Sequence, residues 1–591
     1  MATSLDDAAG VRKGSLRALL GGARPADYIL LGFCLSILLL LLVYPILLTL
    51  RGGFYADPGK RTGFTVEHLA LVFQDPRTLT GLFNSFFIAT CTTTLAIIIA
   101  LPLALISANF KFPGKGLFSA LVLVPLILPP FVGAIGMRAL LGREGTLNTL
   151  LGTNWDILGD ARLFGVVFVQ AFSLYPIIYL NATAALANLD PALDEAAQNL
   201  GAKGWKRLFR ITLPLVRPGI FAGATIVFIW AFTELGTPLM FDFQEVTAVQ
   251  VFNGLKEVES SAKPYALTVV MLVTAVIIYL IGKVLFGRAG HAMYSKASRA
   301  GGERELSALQ GWLACGAFSL VCILALLPHF GVILTSLTVP GSWYQSILPT
   351  AFTGSHYREA LTAADSFGAI VNSLIYASSA MLVSMLLGVA IAYLLVRSKV
   401  KGKGLLDALT MLPLAVPGLV MAFGYVALSL RWPFGKDGPL GDFASVMAAQ
   451  PNPIPLLIAA YAIRRMPYIV RSAVAGLEQT SGELEEAAVN LGASRLTAMR
   501  KIILPLIAAN LIAGGLLVFS FSMLEVSDSI ILAQRTEHAP ITKAILEFSN
   551  RLGDGMYVAS ALGVWGMALL TVTIFASSIL LGKKLGSIFR V

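Results

Sequence analysis

Four glutamates recur at one spacing. Glu195 and Glu486 are 291 residues apart (486 − 195), and Glu234 and Glu525 repeat that interval (525 − 234). The first pair opens two near-identical segments, Glu195-Ala196-Ala197-Gln198-Asn199-Leu200-Gly201-Ala202 and Glu486-Ala487-Ala488-Val489-Asn490-Leu491-Gly492-Ala493. After each Gly come nine residues, Ile, one residue and Leu-Pro (Gly201, Ile211, Leu213-Pro214; Gly492, Ile502, Leu504-Pro505). An acid in an early helical turn suits the helix dipole, the Ala pair permits close approach, and the Gly can end the helix in a left-handed turn. That chemistry is docking, not catalysis. Glu234 and Glu525 lie instead in apolar surroundings, where an ionisable residue is costly and marks a candidate substrate path. As a pair they could form an acidic gate or transient cation site; the simpler reading is that each caps a helix end.

Other chemistries lack their residues. The histidines (His68, His291, His329, His356, His538) are scattered, and no HExxH or CxxC is present. Cys34, Cys91, Cys315 and Cys322 all fall in apolar runs, so neither a metal centre nor a disulfide framework is expected. A phosphate-binding G-x-x-x-x-G-K-[ST] loop is missing: the Gly-Lys pairs are followed by Arg61, Gly116, Val284, Gly404, Asp437 or Lys584. No catalytic residue and no cofactor bound by this chain are expected.

The elements that position these glutamates are membrane spans. Of 591 residues, 56% are hydrophobic and 13% charged, against about 45–50% apolar and 25% charged in soluble domains. Tyr28 to Leu50, Pro264 to Phe286 and Met556 to Leu581 each reach the ~20 residues needed to cross a bilayer. The first of these is too long for a signal peptide's apolar region and is read as a retained span behind a polar tail, residues 1–27. The repeat extends upstream with a displacement of 288: Asn84-Ser85 matches Asn372-Ser373, Lys115-Gly116 matches Lys403-Gly404, and Pro125 and Pro129 match Pro413 and Pro417. From Pro176 and Pro467 onward the displacement is 291, as a loop insertion would produce. The fold expected is an all-α polytopic membrane protein of about 12 transmembrane helices in two homologous six-helix halves, 28–287 and 311–582. A linker (288–310) joins the halves and a tail (583–591) ends the chain.

Spans are predicted near 28–50, 81–108, 116–140, 163–186, 216–241 and 265–287, then 311–337, 367–396, 404–430, 452–476, 506–533 and 556–582. The fourth of each half reads as short and polar. Lysines and arginines gather at 111–115, 203–210, the linker, 399–403, 495–501 and 583–584, which places those segments and the N-terminus in the cytoplasm. The net charge of +11 is thereby accounted for without a nucleic-acid partner. The docking loops, 190–214 and 481–505, face the same side. Asp190-Pro191 is a helix start, with Ser481 in the equivalent place. The paired prolines should kink the third spans. Gly236-Thr237-Pro238 should interrupt the fifth helix just past Glu234, toward its outer end. Arg464-Arg465 reads as a span end open to solvent, and Arg138 as an outer boundary.

The doubled Glu-Ala-Ala…Gly…Ile-x-Leu-Pro loop resembles the EAA loop of ATP-binding-cassette (ABC) importer permeases, and the resemblance covers nearly the whole chain. It is closest to fused, two-unit type I permeases, and among them to the ferric-iron permeases. The resemblance implies a type I ABC permease fold in a bacterial inner membrane. It also implies two separate ABC ATPase subunits using ATP and Mg, and a periplasmic binding protein that delivers the substrate. Docking would fall to Glu195, Ala196, Ala197, Gly201, Glu486, Ala487, Ala488 and Gly492. Ferric iron is the expected cargo. Alternatives are a phosphonate or sugar phosphate, for which Arg464-Arg465 could serve, or, in a different class, an ion-coupled secondary transporter.

Overall fold

The structure, a computed structural model, describes residues 24–286 and 304–581 apart from 58, 157, 188, 190–195, 197–198, 202–203, 259 and 436–437. The tails and most of the linker therefore lie outside the described residues, as do Glu195 and Ala197 of the first docking loop. In the first half the principal helices are α1 (Pro25–Gly52), α2 (Pro76–Asn109), α3 (Lys115–Leu121), α4 (Pro130–Leu141), α5 (Arg162–Ala187), α6 (Leu213–Phe232), α7 (Gly236–Met240) and α8 (Lys263–Phe286). The second half repeats the series as α9 (Ala308–Leu337), α10 (Ala364–Val396), α11 (Lys403–Ala415), α12 (Gly418–Ser429) and α13 (Ile454–Gln479). It continues with α14 (Glu483–Asn490), α15 (Arg495–Ala498), α16 (Ala508–Met523), α17 (Ser527–Leu532), α18 (Ile541–Ser549) and α19 (Gly555–Leu581).

Among the described residues, eight helical segments are long and apolar enough to span a membrane, and three sharply bent pairs, each taken as one span, bring the number to 11. Helix α13 is equally long but carries Arg464, Arg465 and Arg471; with it, each half makes six passes. The fourth passes, α5 and α13, are not short: each has 26 residues. α5 is also the most enclosed of the eight apolar spans, with 72% of its core window buried. Polar residues are tolerated there because other helices, not lipid, surround them.

The third passes are broken rather than kinked. The chain turns by 96° between Lys115–Ile127 and Pro130–Leu151, and by 107° between α11 and α12. Leu128 (ψ 121°) and Val416 (ψ 127°) precede Pro129 and Pro417, and a residue before proline is driven out of the helical region. The bends therefore belong to Pro129 and Pro417. Pro125 sits in a 3-10 turn and Pro413 inside α11.

Each broken pass packs across the molecule. Gly136 of α4 lies against α9, where an added Cβ would stand 2.5 Å from the Pro328 carbonyl oxygen. Its repeat partner Gly424 of α12 lies against α1, where a Cβ would meet the Pro45 carbonyl oxygen at 2.8 Å. Only glycine permits backbones this close. The first helix of each half thus clasps the other half.

The repeated Asn-Ser pairs have a shared task. Asn84 Nδ2 donates to the Glu245 carbonyl at 2.9 Å, and Asn372 Nδ2 donates to the Glu537 carbonyl at 2.9 Å. Ser85 Oγ accepts from Thr247 N at 2.9 Å, and Ser373 Oγ accepts from Ile541 N at 2.7 Å. In both halves the second helix thereby pins the loop that follows the Glu234 or Glu525 break. At the opposite end, Phe110–Lys111 and Arg304–Glu305 form a two-residue parallel strand pair that ties the linker's exit to the end of α2.

Candidate translocation path and docking loops

The fifth pass is interrupted at both path glutamates. Helix α6 stops at Phe232 and α7 begins at Gly236; α16 stops at Met523 and α17 begins at Ser527. Glu234 and Glu525 sit in the gaps, at the end remote from the docking loops. A Cβ on Gly236 would stand 3.1 Å from Val526 Cγ1, so the two interruptions meet where the halves join. Broken helices of this kind expose backbone groups that a transporter can use.

The two carboxylates have different surroundings. Glu234 Oε1 accepts from Thr237, through its N–H at 3.2 Å and its hydroxyl at 3.4 Å, which is the bond of a helix cap. Glu525 is buried between two guanidiniums: Arg464 Nη1 lies 2.7 Å from its Oε1, and Arg465 Nη2 bonds its Oε2. Arg464 Nη1 also reaches Asp528 Oδ2 at 3.2 Å. The Glu525 carbonyl, released by the break, accepts from Ser529 Oγ and from Thr542 Oγ1 at 2.7 Å. Tyr461 OH completes the chain at 2.6 Å from Ser529 Oγ. The Arg465 guanidinium lies over the Phe521 ring, 5.5 Å from its centroid.

Arg464 and Arg465 are therefore not at a solvated span end. They project from the middle of α13 and are mostly buried. At the displacement of 291 their counterparts are Ser173 and Leu174, and that of Asp528 is Thr237, so the first half has no such cluster. The arginines were visible in the sequence; their pairing with Glu525, 61 and 60 residues away, was not. Arg138 stands at the end of α4 and lines a cavity of about 300 Å³ between the halves, together with Asp242, Gln244, Lys543 and Glu547.

The docking loops protrude from the other end. Gly201 (φ 80°) and Gly492 (φ 90°) both take the left-handed conformation that terminates a helix. Ser481 Oγ accepts from Glu483 N at 3.2 Å as α14 begins. Ala196, Glu486 and Ala487 are exposed, whereas Ala488 is turned inward. Beside each glycine is an apolar side chain with no cover: Leu200 is 88% exposed and its repeat partner Leu491 90%. Four residues beyond each glycine the pattern recurs, with Trp205 75% and Leu496 79% exposed. Large apolar groups held out in equivalent places of two loops mark an interaction surface.

One acid near the motif escaped the sequence reading. Glu485, beside Glu486, is only 5% exposed. Its Oε2 is 4.0 Å from Arg397 Nε, and its Oε1 is 3.4 Å from Arg495 Nη1. Burial raises its pKa above the ordinary glutamate value, although Arg397 pulls the other way.

Two pseudo-equivalent six-helix halves, broken passes meeting between them and paired loops at one end define a polytopic membrane permease. The chain belongs to the family described as binding-protein-dependent transport system inner membrane component, matched at residues 100–294 and again at 384–583. It is thus a fused, two-unit ABC importer permease, a pore-forming and non-catalytic class of subunit. It is 27% identical over 551 residues to the ferric transport system permease protein FbpB of Actinobacillus pleuropneumoniae, covering 91% of this chain and 76% of that protein. It is 30% identical over 238 residues to the molybdate/tungstate transport system permease protein WtpB of Pyrococcus furiosus, covering 39% of this chain and 88% of that one. Among solved structures, a bacterial ABC transporter involved in the import of the acidic polysaccharide alginate aligns with a TM-score of 0.38 and 19% identity, covering 45% of this chain and 97% of the matched chain.

Proposed function

We propose that this chain forms the pore of an importer for ferric iron, driven by two separate ABC ATPase subunits and supplied by a periplasmic binding protein. The observation that carries the ATPase reading is the doubled loop: Gly201 and Gly492 in left-handed turns, with Leu200/Leu491 and Trp205/Leu496 exposed beside them. One ATPase would seat on each loop, with Glu486 and Ala487 at the second contact. Closure of the ATPase pair would be felt through both loops and would rock the halves between inward- and outward-open states, with the N-terminus and both loops in the cytoplasm.

Iron is favoured by the ferric permease relative that matches across both halves. The balance of charge at the breaks supports a cation as well: Glu525 and Asp528 pair with Arg464 and Arg465, and Glu234, held by Thr237, adds a third carboxylate. The anion reading needs a free arginine, and both arginines are committed to carboxylates. Purification of the solubilised complex tests the class: an ATP-binding subunit should be retained, and its consistent absence would favour an ion-coupled transporter. Uptake of labelled ferric ion by cells carrying the whole system tests the cargo.

A further inference from the structure

Resting on the docking reading, the second loop has a buried anchor behind it. Arg397 caps the end of α10, and its Nη2 donates to two carbonyls at the end of α13, Leu477 at 3.0 Å and Thr480 at 2.7 Å, and to Thr480 Oγ1 at 3.1 Å. Both lie at a helix C-terminus, where the carbonyls lack a following turn of N–H groups and a cation suits the dipole. The same guanidinium faces Glu485 of the docking helix α14. Arg495, opening α15 behind the Gly492 turn, closes on Glu485 from the other side and reaches Tyr393 OH of α10 at 3.5 Å. One buried carboxylate and two guanidiniums thus join α10, α13, α14 and α15.

The repeat removes every cation from this arrangement in the first half. Arg397 corresponds to Asn109 and Arg495 to Gly204; Tyr393 and Thr480 correspond to Leu105 and Leu189. Asn109 Nδ2 turns back to the Leu105 carbonyl of its own helix at 2.8 Å and does not reach across. Gly204 has no side chain and sits at φ 52°.

We infer that the second ATPase contact acts through a lever, clamped to α10 and α13 by Arg397, Glu485 and Arg495, whose two arginines the repeat does not keep in the first half. Displacement of α14 then moves the ends of α10 and α13 with it. Arg397 and Glu485 are positioning residues, lying behind the docking surface rather than on it.

Hydrogen exchange of the full complex in lipid nanodiscs tests this, comparing MgATP with vanadate against no nucleotide. In the parent, residues 483–495 should be protected by the ATPase, and amides at 393–398 and 477–482 should change exchange on vanadate trapping. In Arg397→Gln and in Glu485→Gln, protection of 483–495 should persist while the trapping-linked change at 393–398 and 477–482 is lost. Asn109→Ala should leave the response at both halves as in the parent. A parental response in both clamp variants would overturn the lever. So would loss of the ATPase from either variant, since the clamp would then belong to the contact itself. Absence of ATPase protection over 483–495 in the parent would instead overturn the docking reading beneath it.

Discussion

Arg464 Nη1 stands 2.7 Å from Glu525 Oε1 inside the protein, and Arg465 holds the other oxygen of the same carboxylate. Breaking a buried pair by deleting one partner leaves an uncompensated charge, at a cost of about 3–5 kcal/mol. Glu525→Gln would leave Arg465 without its carboxylate and Arg464 with Asp528 alone. The expected result is a marked fall in the unfolding temperature of the solubilised protein, whatever happens to transport. An unchanged melting temperature would show that the cluster contributes nothing to holding α13 against the α16–α17 break.

The crossing of the halves makes a separate prediction. Gly136 and Gly424 admit the carbonyls of Pro328 and Pro45, and no flexible side chain is there to yield. Overpacking a core typically costs about 1–3 kcal/mol, and pressing on backbone should place these sites at the upper end. Gly136→Leu and Gly424→Leu should each lower stability and do so comparably, since the contacts are pseudo-equivalent. If either leucine variant melts with the parent, the clasp of α1 and α9 is looser than the geometry requires.

How legible this was depended on whether a feature is local. The spans, the two halves and the docking turns follow from apolar length, repetition and glycine placement, which are properties of short stretches. The right-angle breaks at Pro129 and Pro417 were underestimated because two prolines per pass read as kinks, and the extended residue before the second proline was overlooked. Glu234 and Glu525 looked alike because the repeat aligns them. Their difference lies in Ser173-Leu174 against Arg464-Arg465, residues on another helix whose approach no periodicity reports. Glu485 was passed over for Glu486 because the motif names the exposed acid, while its neighbour's partners arrive from α10 and α15.

The docking surface predicts a response that depends on which loop is altered. Truncating a central apolar anchor at an interface commonly costs about 2 kcal/mol, ~30-fold in affinity. Leu491→Glu, next to Gly492, should reduce ATPase retention on the purified permease while the permease itself stays folded in the membrane. Gly492→Val should act similarly, by straining a turn at φ 90°. Leu200→Glu should weaken the first contact in the same way. Parental ATPase retention in a Leu200→Glu/Leu491→Glu double variant would remove the loops from the interface.

The last prediction separates the two path glutamates. Glu234 is capped by Thr237, and a glutamine can still accept from that N–H, so Glu234→Gln should fold and melt like the parent. It nevertheless removes the one path carboxylate that has no arginine partner at the breaks, and a trivalent cation passing the junction near Gly236 and Val526 would lose its counter-charge there. Labelled ferric uptake in cells carrying the whole system should therefore drop with Glu234→Gln at unchanged permease levels. With Glu525→Gln, uptake should drop together with the amount of folded protein. If the parent takes up no iron, the cargo is another substrate. If it does and Glu234→Gln matches it, Glu234 is a helix cap and the cation crosses without it.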